Sequence, residues 1–201
     1  MENTTNTILY SKNADEVLFP GSTVKIMTCL LALENTQLTD EVTMTATGVS
    51  GVTDGGASIS SQVDEVFTVE QCLYAIMVAS ANDIALQIAE HVGGSVDGFV
   101  QQMNTRAQEL GCTNTVFTNP TGLPDDNQHT TAHDMALIMQ AAIQNESFRT
   151  IAAATSYTIP ATNKAAARNL TSKFTMTDTG STGFYEGCIG GKEGYTEASG
   201  S

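Results

Sequence analysis

Ser22 and Lys25 stand in the stretch Leu18-Phe-Pro-Gly-Ser-Thr-Val-Lys-Ile-Met-Thr-Cys-Leu-Leu-Ala-Leu-Glu34, where a Pro-Gly pair meets a hydroxyl residue and an apolar helical run follows. Residues three apart on a helix share a face, so the serine hydroxyl and the lysine amine are expected side by side in the first turn. Such a pair makes a nucleophile with its own base. The lysine must then be neutral near pH 7. A drop of roughly three units from its usual pKa is worth about 4 kcal/mol. Burial lowers a lysine pKa, a second cation nearby does the same, and the positive end of the helix dipole adds to both. The same helix start aims backbone N–H groups outward, where one can serve an oxyanion hole.

Ser-x-x-Lys is weak evidence alone, because a chain of this length shows roughly one by chance. A helix N-cap serine followed by a solvated lysine has the same spelling. Two further groups change the weighing. Ser80-Ala-Asn82 falls where one predicted helix breaks into the next, a corner that can turn side chains into a cleft, although a second helix cap reads the same way. Lys192-Glu-Gly194 lies on a predicted strand, where a lone lysine is ordinarily a solvated edge charge. Among the lysines only Lys25 has a serine three residues before it, and only Lys192 has a glycine two residues after it. The three groups follow the order Ser-x-x-Lys, Ser-x-Asn, Lys-x-Gly.

The elements that must position these groups read coarsely as strand, helices, strand. Thr7–Ser11 is a short predicted strand with its turn at Lys12–Asp15. The first strong helix runs from Ser22 to about Asn35. Thr39–Gly56, rich in Thr, Val and Gly, predicts short strands and loops. Helices follow over Thr68–Ala79, with Thr68 as N-cap, over Asp83–His91, stopped by Gly93 and Gly94, and over about Ser95–Leu110. Asn114–Gln128 is irregular. Thr130 or Thr131 caps a helix through Ile143, and Glu146–Ala154 forms one more. Ser156–Pro160 and Gly187–Thr196 are strand candidates, the glycines of the second marking a close approach to the backbone. The class is α+β: an antiparallel sheet built from both termini, about 1–30 and 150–201, with a helical part of about 31–149 inserted, all in one domain.

With 201 residues, 41% of them hydrophobic, the chain can bury one sizeable core. Its net charge of −14 argues against nucleic acid and against docking on anionic lipid. No apolar run approaches the roughly 20 residues of a membrane span. Met1-Glu-Asn-Thr-Thr-Asn6 lacks the basic and apolar parts of a signal peptide, so either the protein is cytoplasmic or its signal lies outside these residues. The ending Ala198-Ser-Gly-Ser201 predicts a trimmed C-terminus. Cys29, Cys72, Cys112 and Cys188 have no metal-ligand spacing. Cys29 and Cys72 fall in apolar helical stretches and read as buried free thiols, with a disulfide left open.

The motif triplet resembles that of penicillin-binding proteins and class A β-lactamases. Tyr10-Ser-Lys-Asn-Ala-Asp15, Lys25-Ile-Met-Thr28, Asn114-Thr-Val-Phe-Thr-Asn-Pro-Thr-Gly-Leu123, Thr130-Thr-Ala-His-Asp-Met-Ala-Leu137, Tyr157-Thr-Ile-Pro-Ala-Thr-Asn163 and Gly191-Lys-Glu-Gly-Tyr-Thr196 are similar to the low-molecular-mass serine D-Ala-D-Ala carboxypeptidases, of the peptidase S11 type. The likeness runs from about residue 7 to residue 200. It implies a β-lactamase/transpeptidase-like fold and a peptidoglycan stem peptide ending in D-Ala-D-Ala as substrate. Ser22 would attack the carbonyl between the two D-alanines, Lys25 would take its proton, Ser80 would relay a proton to the leaving amine, and Asn82 would hold the substrate amide and Lys25. Lys192 would supply positive potential for the substrate carboxylate and keep Lys25 neutral. Glu193, Gly194, Tyr195 and Thr196 would line the substrate, with the N–H groups of Ser22 and Tyr195 as oxyanion hole. β-Lactam antibiotics would acylate Ser22. The resemblance implies no metal or cofactor, and an extracytoplasmic place, secreted or anchored at the cell envelope.

The chain departs from the family pattern at Glu193, where the family has threonine in Lys-Thr-Gly. A carboxylate facing the substrate carboxylate at about 5 Å, with an effective dielectric near 20, costs about 3 kcal/mol, on the order of 100-fold in binding. Glu193 either pairs with Lys192, which would raise the Lys25 pKa, or turns away by strand alternation. The family also continues past the point where this sequence stops, with further strands and a basic residue, so an unpaired sheet edge is expected here. Both departures motivate an alternative reading, a weakened or non-catalytic penicillin- or peptidoglycan-binding module. A β-lactamase is a third reading, against which stand the missing Glu-x-x-Leu-Asn segment and the absence of the middle Asp in Ser80-Ala-Asn82.

Overall fold

The computed structural model describes residues 1–50, 56–197 and 199. Its centre is helix α1, Lys25–Asn35, in which every residue from Lys25 to Ala32 is buried. A helix apolar on all sides belongs inside a protein rather than on its surface. Accordingly α3 (Val69–Val78), α4 (Asn82–Gly93), α5 (Val96–Glu109), α6 (Ala132–Ala142) and α7 (Glu146–Ala152) all pack around it. The short α2, Ala46–Ser50, lies against α4. Val24, Met27, Leu73, Ile76, Ile84, Ile88, Phe99 and Phe148 fill the spaces between helices.

Local chemistry sets most helix ends. Thr68 and Gln71 form a reciprocal capping box at the start of α3. Ser95, Thr131 and Asn145 cap α5, α6 and α7 through their side-chain oxygens. α4 stops at Gly94, whose φ of 71° lies in the left-handed region that ends helices cheaply. These boundaries agree with those expected from sequence to within a few residues. The expected α1 start does not: Gly21–Val24 winds as a tighter 3-10 turn, and the α-helix begins at Lys25.

Among the described residues, four strands form two antiparallel pairs. β1 (Glu41–Thr43) pairs with β2 (Val66–Thr68), and β3 (Ser156–Ile159) with β4 (Arg168–Thr171). The α+β class holds, but among the described residues the segments Thr7–Ser11 and Gly187–Thr196, expected as strands, form no ladder. A strand persists only where its N–H and C=O groups find a neighbouring strand. Residues 8–10 are exposed instead, and the glycines at 187 and 190 turn the second segment with φ of 88° and 139°. The N-terminal segment is tied in by an antiparallel bridge, Leu18 to Thr130, by the His133 N–H on the Ala14 carbonyl at 2.9 Å and by Gln140 Nε2 on the Asn3 carbonyl at 2.8 Å. Sequence periodicity also overlooked α2 and the short strands β2 and β4. Of the stretch Thr39–Gly56, expected as strands and loops, residues 51–55 lie outside the described residues. So do Ala198, Gly200 and Ser201 of the expected trimmed end.

Two buried polar ties hold the strand pairs and loops onto the helices. Arg168 on β4 meets the fully buried Glu65 carboxylate with both guanidinium nitrogens, at 2.7 and 3.0 Å, while Thr162 Oγ1 donates to the same carboxylate at 2.5 Å. A bidentate pair with its remaining lone pairs filled withstands burial. Asp83 on α4 accepts from Ser58 Oγ at 2.8 Å and from Ser61 Oγ at 2.7 Å, pinning the loop that carries Ala57 beside Asn82. All four cysteines are free, with Cys29 and Cys72 buried in the helical core as expected.

Gly122 is the most tightly enclosed of the described glycines. Its φ is +82°, and a Cβ there would overlap the Gly21 carbonyl just before Ser22. Gly122→Ala is expected to lower stability by about 2–4 kcal/mol, read as a fall in the thermal unfolding midpoint. An unchanged midpoint would show that the 119–123 turn is free to move away from Ser22.

Candidate active site

The site grows from the start of α1. The 3-10 turn lifts Ser22 to the surface of a cavity of about 710 Å³ and leaves Lys25 fully buried below it. Lys25 Nζ lies 3.2 Å from Ser22 Oγ, 2.8 Å from Asn82 Oδ1 and 2.5 Å from the Thr121 carbonyl oxygen. Asn82 begins α4, and its own N–H donates to the Ala57 carbonyl at 2.8 Å. Ser80, two residues earlier, has a φ of 57°. A non-glycine residue in that region is a strained corner, and this one turns Ser80 to the cavity wall.

The Thr121 carbonyl is a member of the site that side-chain reasoning missed, since any residue type carries one. Its signal was the Asn119-Pro-Thr-Gly122 turn. Asn119 Oδ1 accepts from the Thr121 and Gly122 N–H groups at 3.1 and 2.8 Å, closing an Asx-type turn. Thr28 on α1 then donates to the Pro120 carbonyl at 2.8 Å, holding that turn against the helix.

Burial, aided by the charge of Lys192, brings the Lys25 ammonium down to about 7. Its three oxygen partners accommodate both the ammonium, which donates to all of them, and the neutral amine. The Asn82 and Thr121 oxygens are pure acceptors and take the two N–H bonds of a neutral amine. The lone pair then faces the Ser22 hydroxyl. The arrangement is a serine poised to lose its proton to the adjacent nitrogen.

The segment 193–197 forms the facing wall, although not as a ladder strand among the described residues. Gly194 lies against the start of α1: a Cβ there would sit 3.0 Å from the Ser22 nitrogen. The N–H groups of Ser22 and Tyr195 have no hydrogen-bond partner among the described residues. Gly194, Tyr195 and Thr196 line the cavity together with Ser22, Ser80 and Asn82. Lys192 does not line it. Its side chain is fully buried, and its ammonium donates to the Glu193 backbone oxygen at 2.7 Å and to Glu193 Oε1 at 2.8 Å. Of the two expected placements of Glu193, the structure takes pairing with Lys192, and Glu193 Oε2 is buried without a partner. Burial pushes the Lys192 pKa down, opposed by this pairing. The negative charge of Glu193 does raise Lys25, as expected, but less than burial and Lys192 lower it. Among the described residues no group of three or more His, Cys, Asp or Glu comes together to hold a metal ion.

The chain belongs to the peptidase S11 family, D-alanyl-D-alanine carboxypeptidase, whose profile matches residues 1–201. It is 36% identical over 203 residues to the D-alanyl-D-alanine carboxypeptidase DacF of Bacillus subtilis, covering 98% of this chain and 49% of the relative. The carboxypeptidase DacB2 of Mycobacterium tuberculosis is 34% identical over 184 residues, covering 89% of this chain and 58% of the relative. The chain thus spans about half the length of these curated relatives. Among solved structures, a Streptomyces DD-transpeptidase superposes with a TM-score of 0.89 at 30% identity, over 98% of this chain and 79% of that one. A D-alanyl-D-alanine carboxypeptidase of Mycobacterium tuberculosis does so with a TM-score of 0.86 at 28% identity, over 98% and 71%. The α+β fold is therefore that of the DD-peptidases.

The electrostatics predict a pH profile. Labelling of Ser22 by a fluorophosphonate should rise with pH through about 7, as Lys25 loses its proton. Lys192→Met removes a positive charge that holds the Lys25 pKa down, so the midpoint should move upward. A midpoint that stays or falls would refute the assignment of Lys192 as the tuning charge.

Proposed function

We propose that the chain is a single transpeptidase-like catalytic domain that removes the terminal D-alanine from peptidoglycan stem peptides ending in D-Ala-D-Ala, through an acyl-enzyme on Ser22. The observation that carries this reading is the three-way contact of the buried Lys25 amine with Ser22, Asn82 and Thr121. Family membership supports the substrate class. Ser22 Oγ attacks the carbonyl carbon of the penultimate D-alanine as its proton passes to Lys25 Nζ. The developing oxyanion is met by the N–H groups of Ser22 and Tyr195. Collapse breaks the C–N bond, and the proton returns through Ser80 to the leaving amine of D-alanine. Water then attacks the ester, giving its proton to Lys25, and Ser22 leaves with a proton restored.

In this reading Asn82 orients Lys25 and the substrate amide. Gly194, Tyr195 and Thr196 lay an extended edge beside the substrate, and Lys192 keeps Lys25 neutral. β-Lactam antibiotics present a carboxylate and a strained amide in the same geometry and acylate Ser22. A substrate of this kind places the protein at the cell envelope, secreted or anchored there. Among the described residues no helix is long and apolar enough to cross a membrane.

Release of D-alanine from an acyl-D-Ala-D-Ala peptide, together with a penicillin adduct seen in the intact mass, tests the proposal. Ser22→Ala should abolish both, and Lys25→Met should slow acylation on the order of 10²- to 10⁴-fold. No adduct on the unaltered protein would remove Ser22 from the role of nucleophile. Glu193→Thr should raise the kcat/KM for D-alanine release on the order of 10-fold or more, by removing a carboxylate from the wall that meets an anionic substrate end. Equal or lower turnover would count against repulsion by Glu193.

A further inference from the structure

The Lys192 ammonium does not line the cavity. It is buried and held by Glu193 through both a backbone and a side-chain oxygen. The charged residues that line the cavity, among those described, are Glu193, Glu197 and Lys173. Lys173 is therefore its sole lining cation among the described residues. It is exposed, and its ammonium makes no hydrogen bond or ion pair among the described residues.

The backbone around Lys173 is fixed. Ser172 N donates to the Thr155 carbonyl at 2.8 Å, and Phe174 N to Ser172 Oγ at 3.1 Å. The Phe174 ring lies directly on Gly191, where a Cβ would collide with it. Lys173 thus stands on a segment braced against the residue before Lys192. Burial is the main influence that lowers the Lys192 pKa, and the Lys173 charge is a minor one in the same direction. A free carboxylate arriving in this cavity meets the paired Lys192–Glu193 couple beneath the surface and the uncommitted Lys173 at it.

We propose that Lys173 is the specificity-determining residue that holds the free carboxylate of the substrate's leaving D-alanine, while Lys192 acts from beneath the cavity wall. The proposal rests on the reading of Ser22 as the acylated serine and adds which cation recognises the substrate. A flexible four-carbon stem lets the ammonium follow the carboxylate as a point charge. A carboxylate–ammonium contact at a partly exposed site of this kind corresponds to on the order of 10- to 100-fold in affinity.

The test compares acylation of Ser22 by benzylpenicillin and by its methyl ester, which lacks the anionic carboxylate. In Lys173→Met the second-order rate constant for the acid should fall on the order of 10- to 100-fold, while that for the ester stays within about two-fold of the unaltered protein. Lys173→Arg should keep most of the acid rate. Lys173→Gln serves as a second neutral variant if the methionine protein fails to fold, as judged by its unfolding midpoint. Acid and ester slowed in equal ratio, or an acid rate unchanged, would overturn the role of Lys173 and leave the Ser22 reading intact. Failure of the unaltered protein to take up either compound would instead refute the Ser22 reading itself.

Discussion

The structure depends on one costly act, the burial of the Lys25 amine. An isolated ammonium in a protein interior is strongly disfavoured, and the protein escapes by holding the group near the point where it gives up its charge. The oxygens around it come from three separate stretches of chain: the Ser22 turn, the start of α4 and the 119–123 turn. Each is braced independently, by Gly194 packed on the Ser22 turn, by Asp83 pinning the 58–61 loop, and by Asn119 folding its own turn. The apolar helices around α1 bury the amine, so the core that stabilises the fold is also what lowers its pKa.

The same economy of charge governs the opposite wall. Only eight Lys and Arg serve a chain of net charge −14. Arg168 is committed to Glu65, Arg106 to Glu34 and Glu109, and Lys192 to Glu193. Two buried cations close together would repel strongly in a medium of low dielectric. Pairing Lys192 with Glu193 relieves part of that repulsion while leaving enough to keep Lys25 low. Glu193 thus meets the Lys192 charge beneath the cavity surface with its backbone oxygen as well as its carboxylate.

Much of the scaffold was legible in the chain because its signals are local. Capping residues such as Thr68, Ser95, Thr131 and Asn145 act within one turn, and the apolar period of α1 and α4 is written in consecutive residues. The strands were less legible for the opposite reason. Thr7–Ser11 and Gly187–Thr196 carry plausible strand residues, but a ladder needs a neighbour, and a sequence segment does not reveal whether one lies beside it. β2 and β4 are so short that their pairing with β1 and β3, rather than any period, makes them strands.

The sequence alone determined the chemical roster: Ser22 three residues before Lys25 on one helical start, Ser80 and Asn82 at a helix break, and Lys192 two residues before Gly194, in an order that matches a family. Those relations span a few residues each, and local backbone geometry fixes them. Only the tertiary structure decided how the groups face one another. It put the Thr121 carbonyl on Lys25 from 96 residues away, turned Glu193 onto Lys192, sank that lysine below the cavity, and left Lys173 at its surface. Burial and side-chain direction arise from the packing of distant segments, and they determine which lysine is held near neutrality, which is paired and which stays at the cavity surface.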